Sequence, residues 1–166
     1  LLEQQRNVLL ASDLALADEK LSSEEIELRF LPIKKVVINL QNGEEVQNVD
    51  PSLFYPRDLT IDSITNCQTS VNDESVIQLP CQSLVYELWD STNKLEIVIL
   101  PVSGMGLWST LYGFVSLDSD LVTIRGLTFY EHRETPGLGG EVDNPRWKGL
   151  WPGRKAFDVN GVVKIE

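Results

Sequence analysis

Apolar and polar positions follow two rhythms along this chain of 166 residues, and the change from one to the other predicts the order of its elements. From Leu1 to about Ala17, Leu2, Leu9, Leu10, Leu14 and Leu16 are set among polar residues, which predicts a helix. Ser22-Ser23-Glu24-Glu25 has the form of a capping box, in which a serine side chain and a glutamate three residues on cap each other's backbone. A short second helix to about Phe30 should follow and end at Pro32. Lys35–Leu40 then carries Val36, Val37 and Ile38 into the turn pair Asn42-Gly43, the pattern of a strand entering a hairpin. Asp50-Pro51-Ser52 and Tyr55-Pro56 read as loop or short-helix positions, and polar Cys67–Asp73 as a loop.

Beyond that loop the β signal takes over, with runs at Val76–Leu79, Leu84–Trp89, Leu95–Leu100, Leu111–Leu117 and Leu121–Tyr130. Asp90-Ser91-Thr92-Asn93 and Asp118-Ser119-Asp120 separate them as turns. Asp143-Asn144-Pro145 predicts a helix start, with a capping side chain before a proline at the first helical position, and Gly149 should stop that helix. Two short strand-like runs, Ala156–Val159 and Val162–Ile165, close the chain. The expected class is α+β: helices first, then a largely antiparallel sheet.

Composition narrows the function. The formal charge of −11 argues against nucleic acid, whose phosphates require a basic face. The charge is uneven: between Glu131 and Lys155 five basic residues face four acidic ones, so that window is +1 and the remainder −12. Such a patch on an acidic protein is where an anionic ligand would be least repelled, unless it is an accident of surface composition. No run of about 18 apolar residues is present to span a membrane, no signal peptide is evident, and the first residue is not methionine. Cys67 and Cys81 are too few for a zinc or iron–sulfur site. They could pair in an exported protein or stay buried thiols in a cytosolic one.

Several chemistries fall away. There is no phosphate loop, no serine elbow and no third glycine to complete a dinucleotide fingerprint at Gly104-Met105-Gly106. His132, the single histidine, would have only Glu131 and Glu134 as neighbouring ligands, on different faces of an extended segment, so no metal site is expected. Two stretches remain. Pro101–Thr110 (PVSGMGLWST) joins two glycines to a tryptophan and two hydroxyls; it is either a turn before a core strand or one wall for a flat ligand. Glu134–Glu141 (ETPGLGGE) sets a lone leucine among three glycines and a proline, with Trp147 and Trp151 on the next segment. Together they suggest a cleft for something flat, anionic and partly apolar, a description that a flavin mononucleotide fits.

On S-G-x-G-L-W-S-T-x-Y-G-F (Ser103–Phe114), E-H-x-E-T-P-G-L-G-G-E (Glu131–Glu141) and W-K-G-L-W-P-G-R-K (Trp147–Lys155), the chain resembles the C subunit of the sodium-translocating NADH:quinone reductases. Leu2–Leu16 and Asp50–Arg57 are also similar to family segments, whereas roughly Ile61–Val85 is not matched to the family. The resemblance implies a single FMN-binding-type domain over residues 1–166, facing the periplasm at the inner membrane behind a transmembrane helix that would lie just before Leu1. It implies membrane-subunit partners, no role for nucleic acid, and an FMN joined through its phosphate to a threonine of an S/T-G-A-T motif absent from this chain. Carried onto matching positions, Trp108 and Leu138 would lie against the isoalloxazine ring, with Leu107, Ser109, Thr110, Thr135 and Gly137 lining the site. The task implied is electron relay within an NADH:ubiquinone reductase, with no catalytic proton donor. The alternatives are the G subunit of the related Rnf complex, or a periplasmic interaction module without redox role.

Overall fold

The computed structural model describes residues 2–54, 66–67 and 79–163. Tyr55-Pro56 and most of the expected Val76–Leu79 strand lie outside them. The chain divides into two units, one made of Leu1–Lys34 with Tyr86–Glu166 and the other of Lys35–Val85.

In the first unit, α1 (Leu2–Ala11) and α2 (Ser23–Phe30) precede the strands. The first helix stops well short of the expected Ala17. Ser12 turns its hydroxyl back onto the Val8 carbonyl at 2.8 Å, and Asp13 adopts a left-handed backbone (φ 59°). The Leu9 carbonyl then accepts from the amides of Leu14 and Ala15, closing the helix end. The second helix forms as expected: the Ser22 hydroxyl accepts from the Glu25 amide, and the Glu25 carboxylate accepts from the Ser22 amide at 2.8 Å.

The main sheet runs in the order β1-β4-β5-β6-β7, where β1 is Ile33–Asn39, β4 Gln82–Trp89, β5 Leu95–Met105, β6 Thr110–Asp118 and β7 Ile124–Glu131. From β4 to β7 the pairing is antiparallel throughout. The α+β architecture expected from the sequence is therefore present. The strand β5 is longer than the apolar run that announced it, because Ser103, Gly104 and Met105 continue the ladder opposite Tyr112, Leu111 and Thr110. The strand β7 starts later, since Asp120 accepts from the amides of Val122 and Thr123 and holds them in the turn.

Packing of α1 on β6 and β7 makes the core of this unit. Val8, Leu9 and Ala11 are fully buried, as are Ile97, Ile99 and Phe114 of the sheet. A row of rings, Phe30, Tyr86, Phe114 and Tyr130, runs through it at centroid separations of 6.0, 5.8 and 5.2 Å. The Tyr86 hydroxyl accepts from Gln4 Nε2 at 2.8 Å, so the buried phenol oxygen is satisfied.

After β7 the chain forms a 3-10 turn, Gly139–Asp143, and the brief helix α3 (Pro145–Lys148), started as expected by the Asn144 side chain accepting from the Arg146 amide. The two closing strands do not form among the described residues: only isolated bridges, Thr123 with Lys155 and Phe157 with Val163, mark their place.

The second unit contains most of β1, whose Ile38 bridges Glu45 across the Asn42-Gly43 turn, a 3-10 turn at Pro51–Leu53 capped by Asp50, and the two-residue pair β2 (Asn66–Cys67) with β3 (Leu79–Pro80). Cys67, expected in a loop, thus lies in a short strand. Cys81 is disulfide-bonded, which removes the reading as a buried thiol. No helix among the described residues is long and apolar enough to cross a membrane.

Candidate functional site

Two loops at the same end of the β5–β6–β7 meander carry six of the seven residues singled out in the sequence, and the seventh, Thr110, opens β6. The first is the hairpin tip between β5 and β6. It is only Gly106–Ser109, closed by the Gly106 amide donating to the Ser109 carbonyl at 2.8 Å. The loop expected from the sequence reaches back through Gly104; that glycine is in the strand, and a side chain there would meet nothing. The second is Thr135-Pro136-Gly137-Leu138, a β-turn closed by the Leu138 amide on the Thr135 carbonyl at 3.1 Å. Proline at its second position presets φ, and Gly137 at the third supplies the positive φ of 78° that a type II turn requires.

Glu134 joins the two loops. Its carboxylate accepts from the amides of Trp108 and Ser109 at 3.0 Å each, from Leu107 at 3.2 Å, and from the Ser109 hydroxyl at 3.5 Å. Successive amides converging on one anion form a nest. The Trp108 amide above all, then those of Ser109 and Leu107, holds the Glu134 carboxyl below the ordinary glutamate value, although burial acts the other way. Two glycines make room for it. A side chain on Gly106 would stand 2.5 Å from the carboxylate oxygen, and one on Gly139 would collide with the other oxygen. Both loops thus press bare backbone against one buried carboxylate, which is 7% exposed.

A second clasp lies beside it. The Arg133 amide donates to the Ser109 hydroxyl at 2.7 Å. The Glu134 amide donates to His132 Nδ1, so that nitrogen is the acceptor, and His132 Nε2 lies 2.8 Å from Asp143 Oδ2 as donor. The single histidine is therefore structural, and no group of metal-ligating side chains is found among the described residues.

What the loops offer to solvent is apolar. Leu107, Trp108 and Leu138 are 73%, 69% and 67% exposed, and Met105 beside them is 84% exposed. Ser109 is engaged on both loops, and Thr110 reaches only the Met105 sulfur, at 3.9 Å. Thr135 contributes its carbonyl, which accepts from both Leu138 and Gly140. The amides of residues 107–109 are already taken by Glu134. Sequence reasoning missed Glu134 as the centre of the arrangement, because its partners lie 25 to 27 residues away.

The tryptophans expected to adjoin this cleft lie elsewhere. Trp147 and Trp151, 5.1 Å apart, line an apolar cavity of about 500 Å³ with Leu100, Val102, Val115 and Phe129, and none of the seven candidate residues borders it. The cations of the near-neutral window are partly engaged as well: Lys148 meets Thr128 and Asp143, and Lys155 meets Asp120 and Thr123.

The two clasped loops present Leu107, Trp108 and Leu138 to solvent, and the model of the FMN-binding domain matches residues 106–165. Over those residues the class is that of the FMN-binding domains. More narrowly, the chain belongs to the NqrC family, the C subunits of the Na+-translocating NADH-quinone reductases. It is 38% identical to the C subunit from Pseudomonas aeruginosa over all of its own length and 64% of the relative's, and 36% identical to that of Yersinia pestis over 99% and 62%. The crystal structure of Shewanella oneidensis NqrC superposes with a TM-score of 0.80 at 34% identity, covering 96% of this chain and 72% of that one. The chain spans a little under two thirds of the curated relatives' length.

Proposed function

We propose that this chain is the ring-contacting part of an electron-transfer subunit in a Na+-translocating NADH:quinone oxidoreductase. The observation that carries the reading is the exposed apolar surface of Leu107, Trp108 and Leu138, presented from two loops that one buried carboxylate clasps together. A surface of this kind is unfavourable in water and suits one face of an isoalloxazine ring. Trp108 would stack on the ring, Leu107 and Leu138 would exclude water from it, and Ser109, Thr110, Thr135 and Gly137 would shape the border. FMN supplies the reversible electron uptake; the protein's part is to hold the ring and set the polarity around it. Apolar contact disfavours charged reduced forms and so tunes the potential.

In this reading the flavin is covalently held through its phosphate by a threonine outside these 166 residues. The domain stands on the periplasmic side of the inner membrane, anchored by an N-terminal helix, with the membrane subunits of the complex as partners. The disulfide at Cys81 supports an oxidising compartment. The similarity to NqrC proteins favours this complex over the G subunit of the Rnf complex. The test is to express the natural full-length gene with a flavin transferase and look for flavin fluorescence on a denaturing gel. A fluorescent band is expected, and a protein that carries the threonine motif but no flavin would overturn the reading.

A further inference from the structure

Glu134 is the one acidic side chain in the two loops that is withdrawn from water, and nothing in the proposed electron relay uses it. Among the described residues it has no cationic partner: its four donors are three backbone amides and a hydroxyl. A buried carboxylate without a counter-charge is retained only where the hydrogen bonds to it are worth more than its hydration. Here the bonds span 25 to 27 residues of sequence and join the two walls of one surface. The bare Cα positions of Gly106 and Gly139 on either side show that the loops are built around this carboxylate.

We infer that Glu134 is the positioning residue of the flavin surface: its carboxylate is a built-in anion that fills the amide nest at residues 107–109. In that place it fixes the Leu107–Trp108 tip against the Thr135–Leu138 turn and closes the nest to a ligand's phosphate. The inference rests on the FMN reading for the identity of the ring but not for the clasp itself. Three convergent amides would otherwise be a ready site for a phosphate oxygen. With Glu134 among them, these loops can recognise the ring and not the phosphate. Any phosphate must therefore be held away from the 107–109 nest.

Two measurements on the 166-residue chain test this. The first is amide hydrogen exchange at Trp108 and Ser109. Glu134→Gln keeps the shape but loses the charge, and it turns an NH2 group toward one of the three amides. Exchange at Trp108 and Ser109 should accelerate by about tenfold or more while amides of β6 at Phe114 and Val115 stay protected. Glu134→Ala empties the nest, and added acetate should slow exchange at the same two amides again. Unchanged exchange in Glu134→Gln, or acetate without effect on Glu134→Ala, would overturn the positioning role.

The second measurement is equilibrium binding of riboflavin and of FMN, read by quenching of flavin fluorescence. The wild-type chain should bind the two within about threefold of each other, and Glu134→Gln should weaken both by about tenfold. A wild-type preference for FMN of tenfold or more that Glu134→Ala leaves unaltered would overturn closure of the nest. If neither flavin binds the wild-type chain while exchange behaves as expected, the FMN reading falls and Glu134 keeps its place as the clasp.

Discussion

Two seams in the first unit bring distant parts of the chain together over glycine, and they are made of opposite materials. At the seam between α1 and the sheet, Gly126 of β7 has no side chain, and the Ala11 carbonyl occupies the space that one would fill. The Ser116 hydroxyl donates to that same carbonyl at 2.5 Å, satisfying an acceptor that a helix end leaves without a partner. Val8, Leu9, Ala11, Ser12 and Ser116 beside it are at 0% exposure. At the seam between the loops, Gly106 and Gly139 admit a carboxylate, and the large apolar residues nearby face water. The first seam is held by area removed from water with a neutral hydrogen bond inside it. The second is held by one charge, and its apolar groups are left for something else to cover. A fold that needed only stability would bury Trp108 and Leu138; exposing them on a clasped frame is what a site for a flat ligand requires.

The largest effect is expected where the first seam is overfilled. Gly126→Ala sets a methyl group against the Ala11 backbone, which cannot rotate aside, so α1 must lift from β6 and β7. The expected loss is about 1–3 kcal/mol of unfolding free energy, read as a lower thermal midpoint by circular dichroism. Gly139→Ala is the matched change at the second seam. It should disturb exchange at Trp108 and Ser109 while lowering the midpoint less, because only a clasp between loops is displaced. A midpoint drop for Gly139→Ala as large as that for Gly126→Ala would erase the distinction between the seams.

How much of the fold and the site is legible in the sequence follows the same division. Local signals are legible: Ser22 with Glu25 caps α2, Asn144-Pro145 starts α3, and Pro136-Gly137 makes a turn that projects Leu138. Each depends on residues within a few positions of one another. The end of α1 is not legible, because the leucines at 14 and 16 continue an apolar pattern that Ser12 and Asp13 interrupt through backbone geometry. Nor is the extent of β5, where Gly104 and Met105 look like turn residues and are held in the strand by Leu111 and Thr110 across the ladder. The role of Glu134 is the clearest case. Its partners lie a hairpin and a strand away, and no spacing within ETPGLGGE announces them. The tryptophans mislead for a related reason: nearness in sequence to the glycine-rich turn suggests one cleft, whereas β7 carries Phe129 to the apolar cavity and Trp147 packs there, 6.2 Å from it.

Acid separates the seams without any substitution. Glu134 titrates below the ordinary glutamate value in the folded protein. Its contribution is therefore complete above that ordinary value and is lost as pH falls through the lowered one. Protection of the Trp108 and Ser109 amides, corrected for intrinsic exchange, should stay level down to the ordinary glutamate range and then decline. Protection at Ser12 and Leu14, whose amides donate to backbone carbonyls at the end of α1, should not follow it. His132 and Asp143 pack against the same segment. The comparison is accordingly repeated in Glu134→Gln, where the decline should vanish; a decline that persists there would remove Glu134 as its cause. Parallel behaviour of both seams in the wild type would break the contrast between them.

The smallest effect on stability should come from the residue with most to say about function. Leu138 is 67% exposed, and the turn beneath it is held by the backbone of Thr135 and the conformation of Gly137, so its side chain supports nothing. Leu138→Ala should change the unfolding free energy by no more than about 0.5 kcal/mol. Leu138→Glu should be equally well tolerated by the fold, since the new carboxylate can remain in water. In the full-length flavin-bearing protein, however, it would stand beside the ring. A negative charge there opposes the charged reduced forms, so the midpoint potential should move to lower values or flavin attachment should fall. An unaltered redox titration with full flavin content would remove Leu138 from the ring, and with it the half of the surface that the Thr135–Leu138 turn provides. A shifted potential in a variant of unchanged thermal midpoint would mean that the exposed leucine belongs to the ligand's environment and not to the protein's own stability.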